Sequence, residues 1–325
     1  MKIKKILAKN TFLKKKYREI YAKSQEKKQK KERNHRLNGK YTFIDRKKDF
    51  ENLCIILAGY KDFLWSEVFF RIKKFAPKDM DVCIMSSGMY NEELVRICKM
   101  NDWSYLATKK NHVSLIQNIA INLFKKAKYI YKLDEDVFIT NNYFETLRKT
   151  LVSSEQKLPY HIGFVTPLIP VNGFTYIKVL EKLNLLNEYE DKFGKAFYDT
   201  TRNNKVISDE KAVEYLWEMT SDLDKINDSL LKQDEEYYIC PIRFSIGAIL
   251  FRREIFEEMK MFSVSKTIGL GEDEEDLCCF CLNESKVVVS SANSIVGHLS
   301  FSPTNKKMCQ LYQEGRILKR KANEK

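Results

Sequence analysis

Three carboxylates stand together inside one of the most strand-like segments of the sequence, YIYKLDEDVFIT at residues 129–140. Along an extended chain, Asp134 and Asp136 point to one side and Glu135 to the other. Carboxylates buried without partners are costly, so this cluster indicates a bound cation or a hydrated cleft. Oxygen ligands of this kind suit Mg²⁺ or Mn²⁺, which often complete their shell with substrate phosphates. The alternative interpretation is an exposed acidic turn between two strands.

A second acidic run, EDEED at residues 272–276, precedes the apolar segment LCCFCL. The helix dipole favours acids in the first turn of a helix, which explains part of this run. Five consecutive acids exceed that need, and one of them in a cleft could act as a general base. A histidine, His298, follows the strand-like VVVSSANSIV. Such a residue is ordinarily packed or on the surface, but its neutral imidazole could instead complete a metal shell or contact a phosphate.

The segments that must position these residues alternate between two patterns. Short apolar runs (NLCIILAGY, DVCIMSSG, WSYLAT) predict strands, and FLWSEVFFRIKKF, NEELVRICKMN and SLIQNIAINLFKKA between and after them predict helices. This alternation, with connections between the strands that are too long for hairpins, predicts an α/β fold in which a mostly parallel sheet has helices on both faces. Ligands of these sheets bind beyond the carboxyl ends of the strands. No GxGxxG follows the first strand and no GxxxxGK[ST] occurs, so phosphates bound here would be held by a metal.

The net charge of +13 is concentrated at the start of the chain. Residues 1–48 hold 19 of the 57 Lys and Arg but only 4 of the 44 acids, so the remainder is close to neutral. Apolar and aromatic residues recur there at helical spacing among the lysines, namely Ile3, Ile6, Leu7, Leu13, Tyr17, Ile20 and Tyr21. This pattern predicts a basic amphipathic helix, and residues 1–33 could lie on an anionic membrane surface. A solvated extension or an RNA-binding arm are the alternatives, although the near-neutral body argues against a nucleic-acid partner.

The sequence predicts one domain over residues 49–310, followed by a basic tail at 311–325. A polar, helical insertion at 141–240 interrupts the domain and is the expected acceptor region. The eight cysteines show no CxxC spacing, so we expect reduced thiols rather than a zinc site. No run of about 18 apolar residues is present, and MKIKKILAKN lacks the apolar core of a signal peptide. These features predict a cytoplasmic protein.

Taken in order, several segments resemble the GT-A-fold glycosyltransferases, and most closely their bacterial family 2 group. YIYKLDEDV resembles the segment that carries their nucleotide-sugar and metal aspartates. IGAILFRREIF followed by GEDEEDL resembles their Gly-Ala strand, Arg-bearing turn and ED motif, and ANSIVGHLSF resembles their closing strand with its histidine. The likeness covers residues 50–140 and 240–305. It implies a GT-A fold and an inverting transfer of a sugar from a nucleoside diphosphate, preferentially UDP, to a glycan or lipid-linked acceptor.

Carried over by position, the resemblance implies that Asp136 binds Mn²⁺ or Mg²⁺ and that Asp134 contacts the nucleotide or the waters of the metal. His298 is then the remaining metal or diphosphate ligand. The acidic run aligns with the ED motif in two ways, which leaves Glu272 and Glu274 as alternatives to Asp273 as the base. The residues implied at the nucleotide and its diphosphate are Tyr60, Ser86 or Ser87, Arg252 and Arg253. The segment CIMSSGMYNEE departs from the family because it lacks the aspartate that many relatives place there.

With a membrane-facing tail, this resemblance suggests capsule or cell-surface polysaccharide synthesis at the inner face of the plasma membrane. Other functions fit the same residues. A metal-dependent phosphoryl transferase or nuclease also uses two carboxylates and a divalent ion. A non-catalytic relative of the transferases, or a basic-tailed protein that binds nucleic acid or membrane, are the remaining alternatives.

Overall fold

The computed structural model describes residues 11–267, 269–299 and 303–318. Within these ranges the strands are β1 (Tyr41–Ile44), β2 (Asn52–Leu57), β3 (Met80–Ser87), β4 (Ser104–Thr108), β5 (Tyr129–Asp134), β6 (Val137–Phe138), β7 (His161–Leu168), β8 (Tyr237–Cys240), β9 (Ala248–Arg252), β10 (Lys286–Ile295) and β11 (Gly297–His298). The helices are α1 (Thr11–Arg36), α2 (Asp62–Phe75), α3 (Glu92–Asn101), α4 (Val113–Leu123), α5 (Tyr143–Lys157), α6 (Thr175–Lys182), α7 (Leu186–Phe193), α8 (Lys205–Ser208), α9 (Glu210–Met219), α10 (Leu223–Leu230), α11 (Arg253–Glu258), α12 (Glu272–Asn283) and α13 (Asn305–Gln313).

A nine-stranded sheet forms the centre of the described part of the chain, in the order β1-β4-β3-β2-β5-β9-β7-β10-β8. Six of these strands (β2, β3, β4, β5, β7 and β10) run in one direction, and β1, β8 and β9 run the opposite way. Tyr131 of β5 contacts α5, whereas its strand neighbour Lys132 lies toward α12, so helices cover both faces. The expected α/β fold with a mostly parallel sheet is therefore confirmed.

The order of the strands creates a switch point between β2 and β5. From β2 the chain moves outward through β3 to β4, and it then returns through α4 to place β5 on the other side of β2. The two central strands are in register, with Leu57 beside Asp134 at their carboxyl ends. Both strands are buried almost throughout, as expected of strands covered on both faces. Such a switch point is where ligands bind in open α/β sheets.

The segment at 141–240 differs from the expected helical insertion. It contributes β7 to the interior of the sheet and β8 to its edge, so that the purely helical part is confined to α6–α10. Strand β7 was missed because HIGFVTPL contains a glycine and a proline, which argue against a central strand. Pro167 is accommodated beside a shift of the β7–β10 register, and Gly163 is required because a Cβ there would lie 2.3 Å from Cys281 Sγ.

The basic N-terminal segment is helical from Thr11 to Arg36, and the apolar positions Ile3, Ile6 and Leu7 lie outside the described residues. The end of α1 is tied to the domain. The Arg36 guanidinium donates to the carbonyls of Lys260 (2.7 Å) and Met261 (2.6 Å). Among the residues that the structure describes, no helix is long and apolar enough to cross a membrane.

The domain continues beyond the expected boundary at residue 310. Leu311 and Ile317 are buried, and Arg316 pairs with Glu214 of α9. Tyr312 stacks on Phe138 at 5.6 Å between ring centroids, so α13 packs next to the hairpin of β6 and β11. Only residues 319–325 of the expected basic tail lie outside the described ranges.

Candidate active site

The end of β5 and a short second sheet bring the first acidic cluster and the histidine together. The chain turns after Asp134, and β6 then pairs antiparallel with β11 so that His298 stands opposite Val137. The amide of Leu299 donates to the carbonyl of Asp136 at 3.3 Å. Segments about 160 residues apart in the sequence are thereby joined at the carboxyl end of the central strand.

Three side chains form a cluster with the geometry of a metal centre. Asp134, Asp136 and His298 each place one ligand atom within 4.8 Å of the others. His298 Nε2 lies 3.3 Å from Asp136 Oδ1 and 4.0 Å from Asp134 Oδ2. The side chains of Asp136 and His298 are buried, whereas that of Asp134 is 29% exposed. The three predicted ligands are thus brought together, and two carboxylates with one imidazole suit a divalent ion such as Mn²⁺.

Gly247, just before β9, leaves the space that this cluster needs. A Cβ at this position would lie 2.4 Å from His298 Cε1 and 3.1 Å from Asp134 Oδ2. The amide of Asp134 also donates to the Gly247 carbonyl at 2.9 Å, so the two backbones are held close. Any other residue here would displace the imidazole, which is a physical reason for a glycine before the Ala248 strand.

Two buried lysines, which sequence reasoning missed, pair with the aspartates. Lys61 Nζ donates to Asp136 Oδ2, and Lys132 Nζ donates to Asp134 Oδ1 at 2.6 Å. Each aspartate therefore has one oxygen on a lysine and the other nearer His298. Lys132 could have been found in the sequence because it stands two residues before Asp134 on a strand, and hence on the same face.

The surroundings move the pKa values of these groups in opposite directions. Partial burial raises the pKa of Asp134, and Lys132 only partly offsets it. Burial also acts to raise the pKa of Asp136, but His298 and Lys61 hold the pKa of that carboxyl well below its usual range. Burial acts to lower the pKa of Lys132, yet Asp134 and Asp273 raise it above the ordinary value. Of the two aspartates, Asp136 is therefore the one whose ionised form is favoured by its surroundings.

Glu135, the middle acid, points away from the metal cluster as strand alternation predicts. Its carboxylate accepts from the backbone amides of Gly59 and Tyr60, both at 2.9 Å, and from Trp65 Nε1 at 2.6 Å. It thereby ties the turn after β5 to the loop between β2 and α2. Because this loop carries both Tyr60 and Lys61, Glu135 helps to position both residues.

The residues expected at the nucleotide base differ in exposure: Tyr60 is exposed, whereas Ser86 and Ser87 are buried. Tyr60 is 61% exposed at the carboxyl end of β2, and its hydroxyl donates to the Ser87 carbonyl at 3.2 Å. Ser86 is fully buried and accepts from the Tyr105 hydroxyl, and Ser87 Oγ accepts from the amide of His112. The expectation that Ser86 contacts the base is therefore wrong, because β3 is covered on both faces along its whole length.

Helix α12 begins at the second acidic run and turns only some of its acids inward. Asp273 is buried and accepts from Gln117 Nε2 of α4 at 2.7 Å. Glu274 pairs with Arg243 at 2.7 Å, and burial raises the pKa of Glu274. Glu272 is partly exposed, with Oε2 3.5 Å from His112 Nε2. The charges of Asp273 and Glu274 help to raise the pKa of Lys132, the lysine that pairs with Asp134.

The two arginines expected at the diphosphate lie at the opposite end of the sheet. Arg252 stands beside Tyr129, the first residue of β5, and pairs with Glu155 at 2.6 Å. Arg253 donates to backbone carbonyls, among them that of Phe124 at 2.6 Å. Strand β9 runs antiparallel to β5, so its carboxyl end lies far from Asp134. The assignment of these arginines to the leaving group is therefore wrong.

A cleft of about 720 Å³ runs between α2 and α3, bordered by Tyr60, Trp65 and Phe70. None of the aspartates or glutamates of the two acidic runs lines it. It is therefore a neighbour of the candidate site rather than the site itself, and the chemistry must be argued from the carboxylate clusters.

No family model matches the chain, and no curated protein is similar to it. Among solved structures, a similar one is that of GalNAc-T7 with UDP, GalNAc and Mn²⁺, with a TM-score of 0.45 and 15% sequence identity. The match covers 82% of this chain and 48% of that one, so it spans about half of the length of GalNAc-T7. A similarity of this extent assigns no family, and the function has to be argued from the site.

Proposed function

We propose that this protein is a metal-dependent glycosyltransferase of the GT-A fold that uses a nucleoside-diphosphate sugar, preferably a UDP-sugar. The observation that carries this proposal is the convergence of Asp134, Asp136 and His298 at the carboxyl end of β5, beside the switch point of the sheet. A base on α12 is supported by the charges of Asp273 and Glu274, which act on Lys132, the partner of Asp134. The motifs that resemble those of GT-A enzymes supply these same residues.

Asp134, Asp136 and His298 would hold Mn²⁺ or Mg²⁺, and the space left by Gly247 supports this assignment. When bound, the ion neutralises the charge that grows on the leaving nucleoside diphosphate. Tyr60 presents an exposed ring at the carboxyl end of β2, on which a nucleotide base can stack. Glu135 holds the backbone of this loop in place through its bonds to the amides of Gly59 and Tyr60.

We assign the role of general base to Asp273, with Glu272 and Glu274 as the alternatives. The bond from Gln117 orients the Asp273 carboxylate without adding a charge. The Asp273 carboxylate takes the proton of the acceptor hydroxyl while the hydroxyl oxygen attacks the anomeric carbon of the donor sugar. A single displacement of this kind breaks the bond to the diphosphate and inverts the anomeric centre. Glu274 is the weaker candidate because Arg243 already pairs with it.

The acceptor is proposed to be a glycan or a lipid-linked sugar in capsule or cell-surface polysaccharide synthesis. Support comes from α1, whose 26 residues contain 11 Lys and Arg against 3 Glu. Its aromatic and aliphatic positions Tyr17, Ile20 and Tyr21 are exposed. Basic helices that also expose apolar side chains can bind anionic membranes, and this supports the proposal. We expect the protein to sediment with phosphatidylglycerol vesicles, and a variant without residues 1–33 to remain in solution; equal sedimentation of the two would remove the tail from this proposal.

The function is tested by calorimetric titration of UDP, GDP, CDP and dTDP with and without Mn²⁺. We expect one nucleotide to bind in a metal-dependent manner, and the Asp136→Asn variant to lose this binding. Arg252→Ala serves as the matched control, because it removes a charge at the far end of the sheet. If none of the four nucleotides binds to the folded protein in the presence of Mn²⁺, the transferase proposal is wrong and a non-catalytic role takes its place.

A further inference from the structure

The candidate metal cluster carries unusually little negative charge for a site that would hold a divalent cation. Lys61 is 7% exposed and Lys132 is 3% exposed, and each ammonium pairs with one of the two aspartates. These two ion pairs cancel the charge of Asp134 and Asp136. Two carboxylates that are each paired with an ammonium group attract a cation far less than two unpaired carboxylates, because each ammonium repels the cation at short range.

The acids of α12 change this balance only slightly. The acids that interact with Lys132 include Asp273 and Glu274, and Glu274 is itself paired with Arg243. The acidic and basic side chains of this group carry a formal charge of −1, summed over Asp134, Asp136, Asp273, Glu274, Lys61, Lys132 and Arg243. A divalent ion alone would turn that charge to +1 in a mostly buried site, which is unfavourable. A nucleoside diphosphate added with the ion would restore a negative total.

The positions of the two lysines leave the inner oxygens of the aspartates facing the imidazole. Lys61 occupies Oδ2 of Asp136, whereas Oδ1 of the same carboxylate is the atom nearer His298. Lys61 also begins the turn into α2, directly after the two amides that Glu135 holds. Its ammonium is therefore fixed against Asp136 by a residue that directly follows the exposed Tyr60 in the chain.

We propose that Lys61 makes tight metal binding conditional on the diphosphate, so that the site takes up the divalent ion and the nucleoside diphosphate together. The ammonium opposes the ion when it arrives alone and attracts the phosphate oxygens when they accompany it. This inference rests on the proposed function, since it assumes a diphosphate ligand. Coupling of this kind is reciprocal, so the metal must strengthen nucleotide binding by the same factor as the nucleotide strengthens metal binding.

The test is titration of Mn²⁺ into the full-length protein, followed by calorimetry and by the electron paramagnetic resonance signal of free Mn²⁺. Each titration is run without nucleotide and then with saturating UDP, GDP, CDP or dTDP. The variant is Lys61→Met, which keeps an unbranched apolar side chain one atom shorter than that of lysine and removes its charge. The matched control is Lys182→Met. Lys182 is buried to a similar degree in α6 and pairs with Glu235, at the β8 edge of the sheet.

We expect the wild-type protein to bind Mn²⁺ at least about 100-fold more tightly with the matching nucleotide than without it. Lys61→Met should bind Mn²⁺ alone at least about tenfold more tightly than wild type, and its nucleotide enhancement should fall by about tenfold or more. Lys182→Met should behave as wild type. Lys61→Arg, which keeps the charge, should retain the enhancement. If Lys61→Met does not fold, Lys61→Gln repeats the test with a neutral hydrogen-bond donor.

Equal Mn²⁺ affinity and equal nucleotide enhancement in wild type and Lys61→Met would overturn this inference while leaving the proposed function intact. Enhancement that is lost equally in Lys182→Met would also overturn it, because the effect would then not belong to this site. Absence of Mn²⁺ binding to the wild-type protein, with or without any of the four nucleotides, would overturn both proposals together.

Discussion

The two acidic runs of this protein look alike in the sequence but are built in different ways. At residues 134–136 a strand end and a turn send neighbouring carboxylates to opposite sides, two into the metal cluster and one into backbone amides. At residues 272–276 a helix spreads the acids around its axis, so that Asp273 is buried and Glu275 is exposed. Each acid of the first run contacts a partner in the described structure, whereas the second run includes the exposed Glu275.

The partners of the carboxylates differ as well. Asp134 and Asp136 each pair with an ammonium group, which favours the ionised form of a carboxylate, although burial outweighs this effect at Asp134. Asp273 is held by the neutral amide of Gln117. A metal ligand must stay ionised, whereas a base must accept and release a proton. The difference in partners is therefore the one expected between a metal site and a general base.

The largest effect is expected for Asp136→Asn. The amide cannot supply the anion that Lys61 and His298 contact, and it removes the ion pair between Lys61 and position 136. We expect sugar transfer to fall by about a thousandfold or more, together with loss of metal-dependent nucleotide binding. Initial rates with the donor identified by calorimetry, and a thermal melt to confirm folding, provide the measurement. Retention of more than a tenth of the activity would place the metal elsewhere.

A smaller but selective effect is expected for Asp273→Asn. Loss of a general base lowers the rate of the chemical step by about 10²–10⁴-fold, while ground-state binding of metal and nucleotide should change little. The comparison is made with Glu272→Gln and Glu274→Gln under the same conditions, each measured for kcat and for nucleotide affinity. If Glu272→Gln lowers kcat more than Asp273→Asn does, the role of base moves to Glu272.

The alternation of strand and helix patterns was enough to predict the α/β fold, whereas the meeting of Asp134, Asp136 and His298 was expected from the resemblance to the GT-A enzymes. It could not predict the direction of β9, and this explains the wrong placement of Arg252. In a parallel strand the residue after GAILF would lie at the same end as Asp134, but β9 is antiparallel and ends at the other side of the sheet. Orientation of a strand depends on tertiary packing rather than on its local pattern.

The burial of the lysines at the site and the presence of strand β7 could not be predicted from the sequence either. A single lysine such as Lys61 has no periodic signal, and its burial depends on the partner that the fold brings to it. Strand β7 is hidden by Pro167, which is tolerated only because the register shifts beside it. In both cases a residue that local rules place on the surface or in a loop is buried by long-range contacts.

Within the first run, the middle acid should affect stability more than chemistry. Glu135→Gln removes the charge that three N–H donors share, and the Gln amide group cannot accept all of them in the same way. Hydrogen bonds to a charged group contribute about 1.5–3 kcal/mol, and we expect the free energy of unfolding to fall by about that amount. Chemical denaturation measures this change. Activity at a temperature where the variant is fully folded should fall by about tenfold at most, because the metal ligands remain.

A loss of activity as large as that of Asp136→Asn, with no change in the free energy of unfolding, would contradict this division of the first run. Glu135 would then have to contact the donor or the metal directly. The Trp65→Phe variant is a useful companion, because it removes one of the three donors and keeps the carboxylate. It should show a smaller loss of stability than Glu135→Gln and the same metal-dependent nucleotide binding as wild type.

The smallest effect is expected for Glu275→Gln, which tests the second run at its exposed position. Glu275 lies in the first turn of α12, where a carboxylate interacts favourably with the helix dipole but touches no part of the metal cluster. The free energy of unfolding should change by no more than about 0.5 kcal/mol. We expect kcat and nucleotide affinity to stay within about twofold of wild type in initial-rate and calorimetric measurements. A loss of kcat approaching that of Asp273→Asn would mean that the helix turns a different face toward the substrate, and that burial of Asp273 does not mark the base.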